Sequence, residues 1–114
     1  MIFVFGSNLL GIHGKGAALV AKKQYGAVQG IAFGLCGNSF AIPTKETPYK
    51  SLPLDSIYSF VRVFLEYAKD HPEDTFYLTP IGCGLAGYSP VDIAPMFSNA
   101  TTNIILPEQF KKVL

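Results

Sequence analysis

The sequence is poor in the residues that build metal centres and disulfide frameworks. It has no tryptophan, two histidines (His13 and His71) and two cysteines (Cys36 and Cys83). At these separations the four residues match no metal-binding spacing, and a single pair of cysteines is no disulfide framework. We therefore expect no metal ion, no other cofactor and no structural disulfide.

Charge and long apolar segments are also scarce. Charged residues make up 15% of the chain and the formal net charge is +1. The chain therefore offers no basic field to nucleic acid, which we do not expect as a partner. No apolar run reaches the length of about 18 residues that a membrane span needs, and the opening "MIFVFGSN" has no basic segment before its apolar residues. We expect no membrane partner and a cytoplasmic location.

What the sequence does have is apolar bulk: 49% hydrophobic residues, including nine phenylalanines and six tyrosines, in 114 positions. This predicts one folded domain, residues 1–114. Alternating strands and helices predict an α/β fold with a mixed sheet. Periodicity and breaker residues predict strands at 1–5, 28–35, 38–44, 74–81 and 102–107, helices at 16–26, 54–71, 90–97 and 108–114, and a loop at 45–55.

Two glycine clusters stand where a strand leads into a helix. The first places Gly11, Gly14 and Gly16 close together, and the second is "PIGCGLAGYSP", residues 80–90. Glycine lets a backbone approach a ligand, and free N–H groups at a helix start attract anions. The first cluster does not fit a P-loop, and "GCGLAG" comes too late for a dinucleotide-binding unit. We interpret both loops as phosphate-binding; the alternative is that these glycines only form tight turns.

Three segments resemble the macrodomain family, which binds ADP-ribose. They are "HGKGAALVAKKQYG", "AIPTK" and "PIGCGLAGY", in the family's order and at similar separation, and the likeness runs from about Phe3 to Ile105. It is greatest for the branch that includes the terminal ADP-ribose protein glycohydrolase. The resemblance implies a three-layer macrodomain-like fold with helices on both faces of a mixed sheet. It also implies ADP-ribose or a related nucleoside diphosphate as the ligand.

By position, the resemblance implies a pocket enclosed from two sides. Asn8 would bind a ribose hydroxyl, and Tyr88 would stack on a ribose or base or else pack within its loop. We expect Cys83 to pack as a small apolar group rather than act as a nucleophile. The residues around the diphosphate would be Gly14, Lys15, Gly16 and Ala17 on one side and Ile81, Gly82, Cys83, Gly84, Leu85 and Ala86 on the other.

The chain departs from the family pattern in two places. It lacks the Gly-Asp element whose aspartate recognises adenine, so the choice of base is open. Lys45 matches the hydrolase lysine that attacks the ribose, but Ala86 stands where that branch has its acid–base aspartate. Such a group contributes roughly 10²–10⁴-fold to a rate. His13 and Asp92 are candidates for the role; alternatively His13 faces water and Asp92 only favours a helix dipole.

Two functions follow from this pattern. The first is a binding module for ADP-ribose, free or attached to a protein. The alternative is an ADP-ribosyl hydrolase with Lys45 in its active site, or one that uses water polarised between the two loops. Lys45 could equally be a solvated lysine at the start of a loop. A small phosphate- or RNA-binding domain is a third interpretation, and the near-neutral charge argues against RNA.

Overall fold

A computed structural model describes residues 1–114, which form a compact α/β fold around one mixed sheet. The elements are β1 (Ile2–Asn8), α1 (Gly16–Gln24), β2 (Gly34–Cys36), β3 (Ser39–Thr47), β4 (Lys50–Ser51), α2 (Leu54–Asp70), β5 (Phe76–Leu78), α3 (Pro90–Ile93) with a following 3₁₀ turn (Ala94–Phe97), β6 (Ile104–Ile105) and α4 (Glu108–Lys111). The strands lie in the order β2-β3-β1-β5-β6, and β4 pairs with β3.

The central strand is β1, and it determines where a ligand can lie. Its neighbours β3 and β5 both run parallel to it, and Asn8 at its end pairs with Lys45 of β3. Residues 2–5 form an unbroken buried apolar run, as expected for a strand covered on both faces. The carboxyl ends of three adjacent strands therefore meet at one edge, which is where α/β sheets bind ligands.

One face of the sheet carries the larger core. Ile57, Val61, Phe64 and Ala68 of α2 recur at helical spacing and are fully buried against it. Pro53 precedes this helix and Pro72 follows its last turn, so the predicted limits 54–71 are confirmed within one residue. Residues of α3, its 3₁₀ turn and α4 extend the same cluster.

The opposite face is packed by α1 and by residues that flank it. Ala18 and Ala21 of this helix join Phe3, Phe5 and Ala41 in a second cluster of six buried residues, against seventeen in the larger one. Tyr25, just after the helix, stacks on Phe3 with ring centroids 4.4 Å apart. Small residues let α1 lie close to β1, and this proximity holds the start of α1 above the carboxyl edge of the sheet.

Several predicted strands are shorter in the structure. The strand predicted over 28–35 is wrong for most of its length, because β2 begins only at Gly34 and the preceding segment is a loop with Val28 and Ile31 exposed. Positive φ at Gly30 and Gly34 interrupts the extended backbone. The strands predicted over 74–81 and 102–107 shorten to β5 and β6.

Two further predictions need correction. The segment 45–55 is not a loop throughout, because β3 continues to Thr47 and pairs back with β4. The third helix is α-helical only to Ile93 and then tightens into a 3₁₀ turn. Pro95 lies in that turn and lacks the N–H that would continue an α-helix. None of the helices combines the length and apolar character needed to cross a membrane.

Candidate functional site

A cavity of about 870 Å³ lies over the carboxyl edge of the parallel strands. That volume is within the range of small-molecule sites. Four segments line it: residues 6–8 at the end of β1, the first glycine loop and the start of α1, the end of β3 with its hairpin, and the second glycine loop. Both glycine loops therefore lie on one cavity, opposite each other.

Asn8 shapes the first glycine loop. The N–H groups of Leu10 and Ile12 donate to its Oδ1, each at 3.1 Å, and its Nδ2 donates to the Ile12 carbonyl at 2.9 Å. The side chain is buried but lines the cavity. Its oxygen is thus occupied by the loop, and one N–H of Nδ2 remains for a ligand.

A neighbouring segment, residues 28–32, supports this loop from behind. The Gly30 N–H donates to the Gly11 carbonyl at 2.8 Å, and the Ser7 hydroxyl donates to the Ala32 carbonyl at 2.5 Å. A Cβ at Gly11 would lie 2.5 Å from the Gly30 carbonyl carbon, so Gly11 is required for packing. The segment predicted as a strand is instead the support of the first glycine loop.

His13 belongs to this support and does not line the cavity. It is fully buried, so the expectation of a water-facing histidine is wrong. Its Nε2 lies 3.1 Å from the Ile31 carbonyl, which can only accept, so Nε2 carries the proton. The ring meets Phe5 edge-on with centroids 5.3 Å apart, and Nδ1 has no partner. His13 therefore holds the first glycine loop against the sheet.

The start of α1 presents donors to the cavity. Lys15 is the N-cap residue and makes no side-chain capping bond, and the first turn has no acidic residue. The first N–H groups of a helix have no intrahelical acceptor, and Gly16, Ala17 and Ala18 occupy that turn. Free N–H groups and the positive end of a helix dipole together are the features that attract anions.

The second glycine loop reaches the floor of the cavity at Gly82. A Cβ on Gly6 would lie 3.1 Å from Thr44 Oγ1 and 3.7 Å from the Gly82 nitrogen, so β1, β3 and this loop meet there. Gly82 has φ +75°, and a Cβ on it would lie 2.9 Å from Ile93 Cδ1. A side chain at this position would force the Ile93 side chain to move and would strain the backbone.

Two hydrogen bonds tie the second glycine loop to the β3–β4 hairpin. The Ser51 hydroxyl donates to the Ala86 carbonyl at 2.6 Å, and the Tyr88 hydroxyl donates to the Leu52 carbonyl at 2.5 Å. Tyr88 does not line the cavity. Its hydroxyl fixes the second glycine loop to the hairpin. The sequence allowed two roles for Tyr88, stacking on a ligand or packing within its loop, and the observed contact is of the second kind.

Gly14 and Gly84 differ from the other glycines of the two loops. Neither has a positive φ, and a Cβ added to either would meet no atom within 4 Å. Both line the cavity. Turn geometry and packing therefore require glycine at Gly11 and Gly82, but they require it at neither Gly14 nor Gly84.

Lys45 lies on the cavity wall. It is half-buried at the end of β3, and its Nζ donates to the Pro48 carbonyl. Lys15 and Lys45 are the charged side chains among the lining residues, which include no carboxylate. The electrostatic character of the cavity is therefore suited to an anion.

Asp92 and Cys83 lie on different cavities. Asp92 is a helix cap: the Ser89 N–H and hydroxyl each lie 3.1 Å from its Oδ2, and it faces a separate, smaller cavity. Cys83 lines the main cavity as a free thiol. Burial, and secondly the Asp92 carboxylate, raise the pKa of Cys83 above its ordinary value, so the thiol stays protonated near neutral pH.

The β3–β4 hairpin forms a third wall of the cavity, which the sequence did not predict. Thr44, Thr47, Pro48 and Tyr49 line the cavity beside Lys45, and Thr79 and Pro80 add to the opposite side. The segment 45–55 is predicted as a loop, and a loop prediction does not say which way each side chain points. The signal available in the sequence was the segment "PTKET", whose alternating residues are compatible with a strand that continues past Thr44.

No group of three or more histidine, cysteine, aspartate or glutamate residues could hold a metal ion. No protein-family model, curated protein or solved structure matches the chain.

Proposed function

We propose that the protein binds ADP-ribose or a related nucleoside diphosphate in this cavity, as a module with a three-layer, macrodomain-like arrangement. The observation that carries the proposal is the pair Gly14 and Gly84. Both lie on the cavity wall where neither backbone conformation nor packing excludes a side chain. Close approach of a ligand to the backbone is the remaining reason for glycine.

The charge distribution supports a diphosphate. The uncapped start of α1 offers N–H donors, and in the second glycine loop the N–H groups of Gly82, Gly84, Leu85 and Ala86 have no backbone acceptor. Such sites bind phosphates with backbone dipoles and need few basic residues. This agrees with a chain whose net charge is only +1. The nucleotide could be free or attached to a protein.

The decisive test is a calorimetric titration with ADP-ribose, with ADP and AMP as comparisons. We expect micromolar binding of ADP-ribose and much weaker binding of AMP, which lacks the second phosphate. The specific variant is Gly14→Asp, because position 14 has room for a side chain and a carboxylate there would repel the phosphates. Its matched control is Gly14→Asn, which has nearly the same size and no charge.

We expect Gly14→Asp to weaken ADP-ribose binding at least tenfold more than Gly14→Asn. Equal binding by both variants would contradict an anion at this site, and no binding by the wild type would overturn the proposal. We expect both variants to fold, because a Cβ at position 14 meets no atom within 4 Å and the backbone there has no positive φ.

A second candidate function is hydrolysis of an ADP-ribosyl bond, and it is favoured by the position of Lys45 on the wall shared with both glycine loops. A nucleophilic lysine must lose a proton, and neither His13 nor Asp92 lies on the cavity to receive one. Release of ADP-ribose from a modified protein by the wild type, and its loss in Lys45→Ala and Lys45→Arg, would support this function. Equal activity in the variants would exclude the lysine mechanism.

A further inference from the structure

The cavity has a polar floor and an apolar mouth. At the floor, Gly6, Thr44 and the Gly82 nitrogen come together. At the mouth, Leu10, Ile12, Tyr49 and Leu85 line the cavity and are exposed to solvent. Leu85 reaches across, with its Cδ1 4.0 Å from the Cβ position of Gly16 on the opposite loop. A ligand that fits this gradient has an anionic inner end and a flat apolar outer end.

Tyr49 is the largest side chain at the mouth and the most exposed, at 95%. It lies at the tip of the β3–β4 hairpin, and its ring contacts no other aromatic ring. The β3 strand extends three residues from Thr44 on the floor to Thr47 below the tip, roughly 10 Å along the strand. That separation leaves room for a ribose between a phosphate on the floor and a ring at Tyr49.

The hairpin is braced, so the backbone position of Tyr49 is defined. The Tyr49 N–H donates to Thr47 Oγ1 at 3.1 Å, and Lys45 Nζ donates to the Pro48 carbonyl. A salt bridge of 3.1 Å joins Lys50 Nζ to Glu46 Oε2. Ligand binding would then have to order the side-chain torsions of Tyr49 but not the backbone of the turn.

The side-chain oxygens near the mouth accept hydrogen bonds within their own loops, whereas Asn8 Nδ2 keeps one free N–H. Asn8 Oδ1 accepts from two backbone N–H groups, Thr47 Oγ1 accepts from the hairpin, and Lys45 is bonded to Pro48. No carboxylate lines the cavity. Distinguishing one base from another requires donors and acceptors at its edge, whereas stacking is tolerant because every base has a π face.

We infer that Tyr49 stacks on the base of the bound nucleotide, with Leu85 and Leu10 beside it, and that the site accepts different bases on the same diphosphate-ribose. This inference rests on the proposed function. On this inference the protein recognises the diphosphate-ribose group and does not select for adenine.

The test compares ADP-ribose with GDP-ribose and IDP-ribose, which differ from it only in the base. We expect the three dissociation constants to agree within about threefold, because stacking does not depend on edge groups. Tyr49→Ala should weaken all three by about tenfold, the order of magnitude measured for removal of one stacking aromatic. Tyr49→Phe should retain binding, and Tyr58→Ala, an exposed tyrosine outside this cavity, is the control.

Binding of GDP-ribose and IDP-ribose more than tenfold weaker than that of ADP-ribose would overturn the inference, as would unchanged binding by Tyr49→Ala. If ADP-ribose binding is sensitive to Gly14→Asp but not to Tyr49→Ala, the anion site stands and base stacking is refuted. If the wild type binds none of the three ligands, the proposed function itself fails and the inference falls with it.

Discussion

Gly82 and Gly84 lie two positions apart in one loop, yet glycine is needed there for different reasons. At Gly82 a Cβ would lie 2.9 Å from Ile93 Cδ1 at a φ of +75°, whereas at Gly84 nothing lies within 4 Å. The first glycine is therefore required by the fold. The second borders the cavity, where a side chain would compete with a ligand.

Alanine at the two positions should separate stability from binding. We expect Gly82→Ala to lower the free energy of unfolding by about 1–3 kcal/mol, because it combines overlap with an unfavourable φ. Gly84→Ala should leave the free energy of unfolding within about 0.5 kcal/mol of the wild type and weaken ADP-ribose binding. Denaturant unfolding and calorimetry measure the two effects. A stability loss in Gly84→Ala as large as that in Gly82→Ala would contradict this assignment.

The thiol of Cys83 should react slowly near neutral pH. Burial and the Asp92 carboxylate raise its pKa, so the thiolate that reacts with iodoacetamide forms only at higher pH than for an ordinary cysteine. The alkylation rate, measured on the Cys83 peptide by mass spectrometry, should therefore rise late in a pH series. Asp92→Asn should shift the curve to lower pH, though not fully, since burial remains.

The control for that series is Ser89→Ala, which removes a partner of Asp92 but keeps the charge. It should leave the Cys83 curve closer to that of the wild type than Asp92→Asn does. An identical shift in both variants would mean that loosening of the helix cap, and not the carboxylate, controls the thiol.

Individual side chains were harder to assign from the sequence than the loops that carry them. The two glycine loops could be located because several glycines between a strand and a helix are unusual. The direction of His13 could not be predicted, because it depends on the segment 28–32, which folds behind the loop from a distant part of the chain. The Asn8 side chain likewise forms hydrogen bonds with the backbone of its own loop. The spacing of residues in the sequence does not distinguish this role from ligand binding.

Among the helices and strands, the longer ones were easier to predict from the sequence than the shorter ones. The helix α2 has seventeen residues with a clear apolar stripe between two prolines, so its period could be recognised. The strands β5 and β6 have three and two residues, too few for a period, and tertiary pairing alone defines their limits. The hairpin β3–β4 was missed because Pro48 and Pro53 indicated a loop, yet Pro48 lies in the turn between the strands, where its missing N–H is not needed.

The hydrogen bond from Ser51 to Ala86 should stabilise the second glycine loop. Its removal in Ser51→Ala should cost about 1 kcal/mol of unfolding free energy, the usual value for a single hydrogen bond. Amide hydrogens in residues 82–88 should exchange faster, because the loop loses one of its two ties to the hairpin. Hydrogen exchange read by mass spectrometry measures this effect.

Ser59→Ala is the matched control, because Ser59 is an exposed serine whose hydroxyl donates within α2. It should change neither the exchange of residues 82–88 nor the unfolding free energy by more than about 0.5 kcal/mol. Unchanged exchange of the loop in Ser51→Ala would show that the tie to the hairpin does not order it.

For the molecule as a whole, the cavity lies between two separately supported walls. The first glycine loop is held by residues 28–32, and the second by the β3–β4 hairpin. The α/β class and the mixed sheet could be predicted from the alternation of apolar segments. The pairing of each loop with its own support could not, because it joins segments far apart in the chain.

A ligand that contacts both walls should stabilise the whole fold, because it binds the native state and not the unfolded chain. ADP-ribose at a hundred times its Kd should add about 2.7 kcal/mol to the free energy of unfolding. For a chain of this size that corresponds to a rise in Tm of roughly 10 °C. The unliganded Gly14→Asp variant should unfold near the wild-type Tm, yet ADP-ribose at the same concentration should raise it much less. A rise of equal size in both proteins would place the ligand away from the start of α1, since a carboxylate there would then have no effect on its binding.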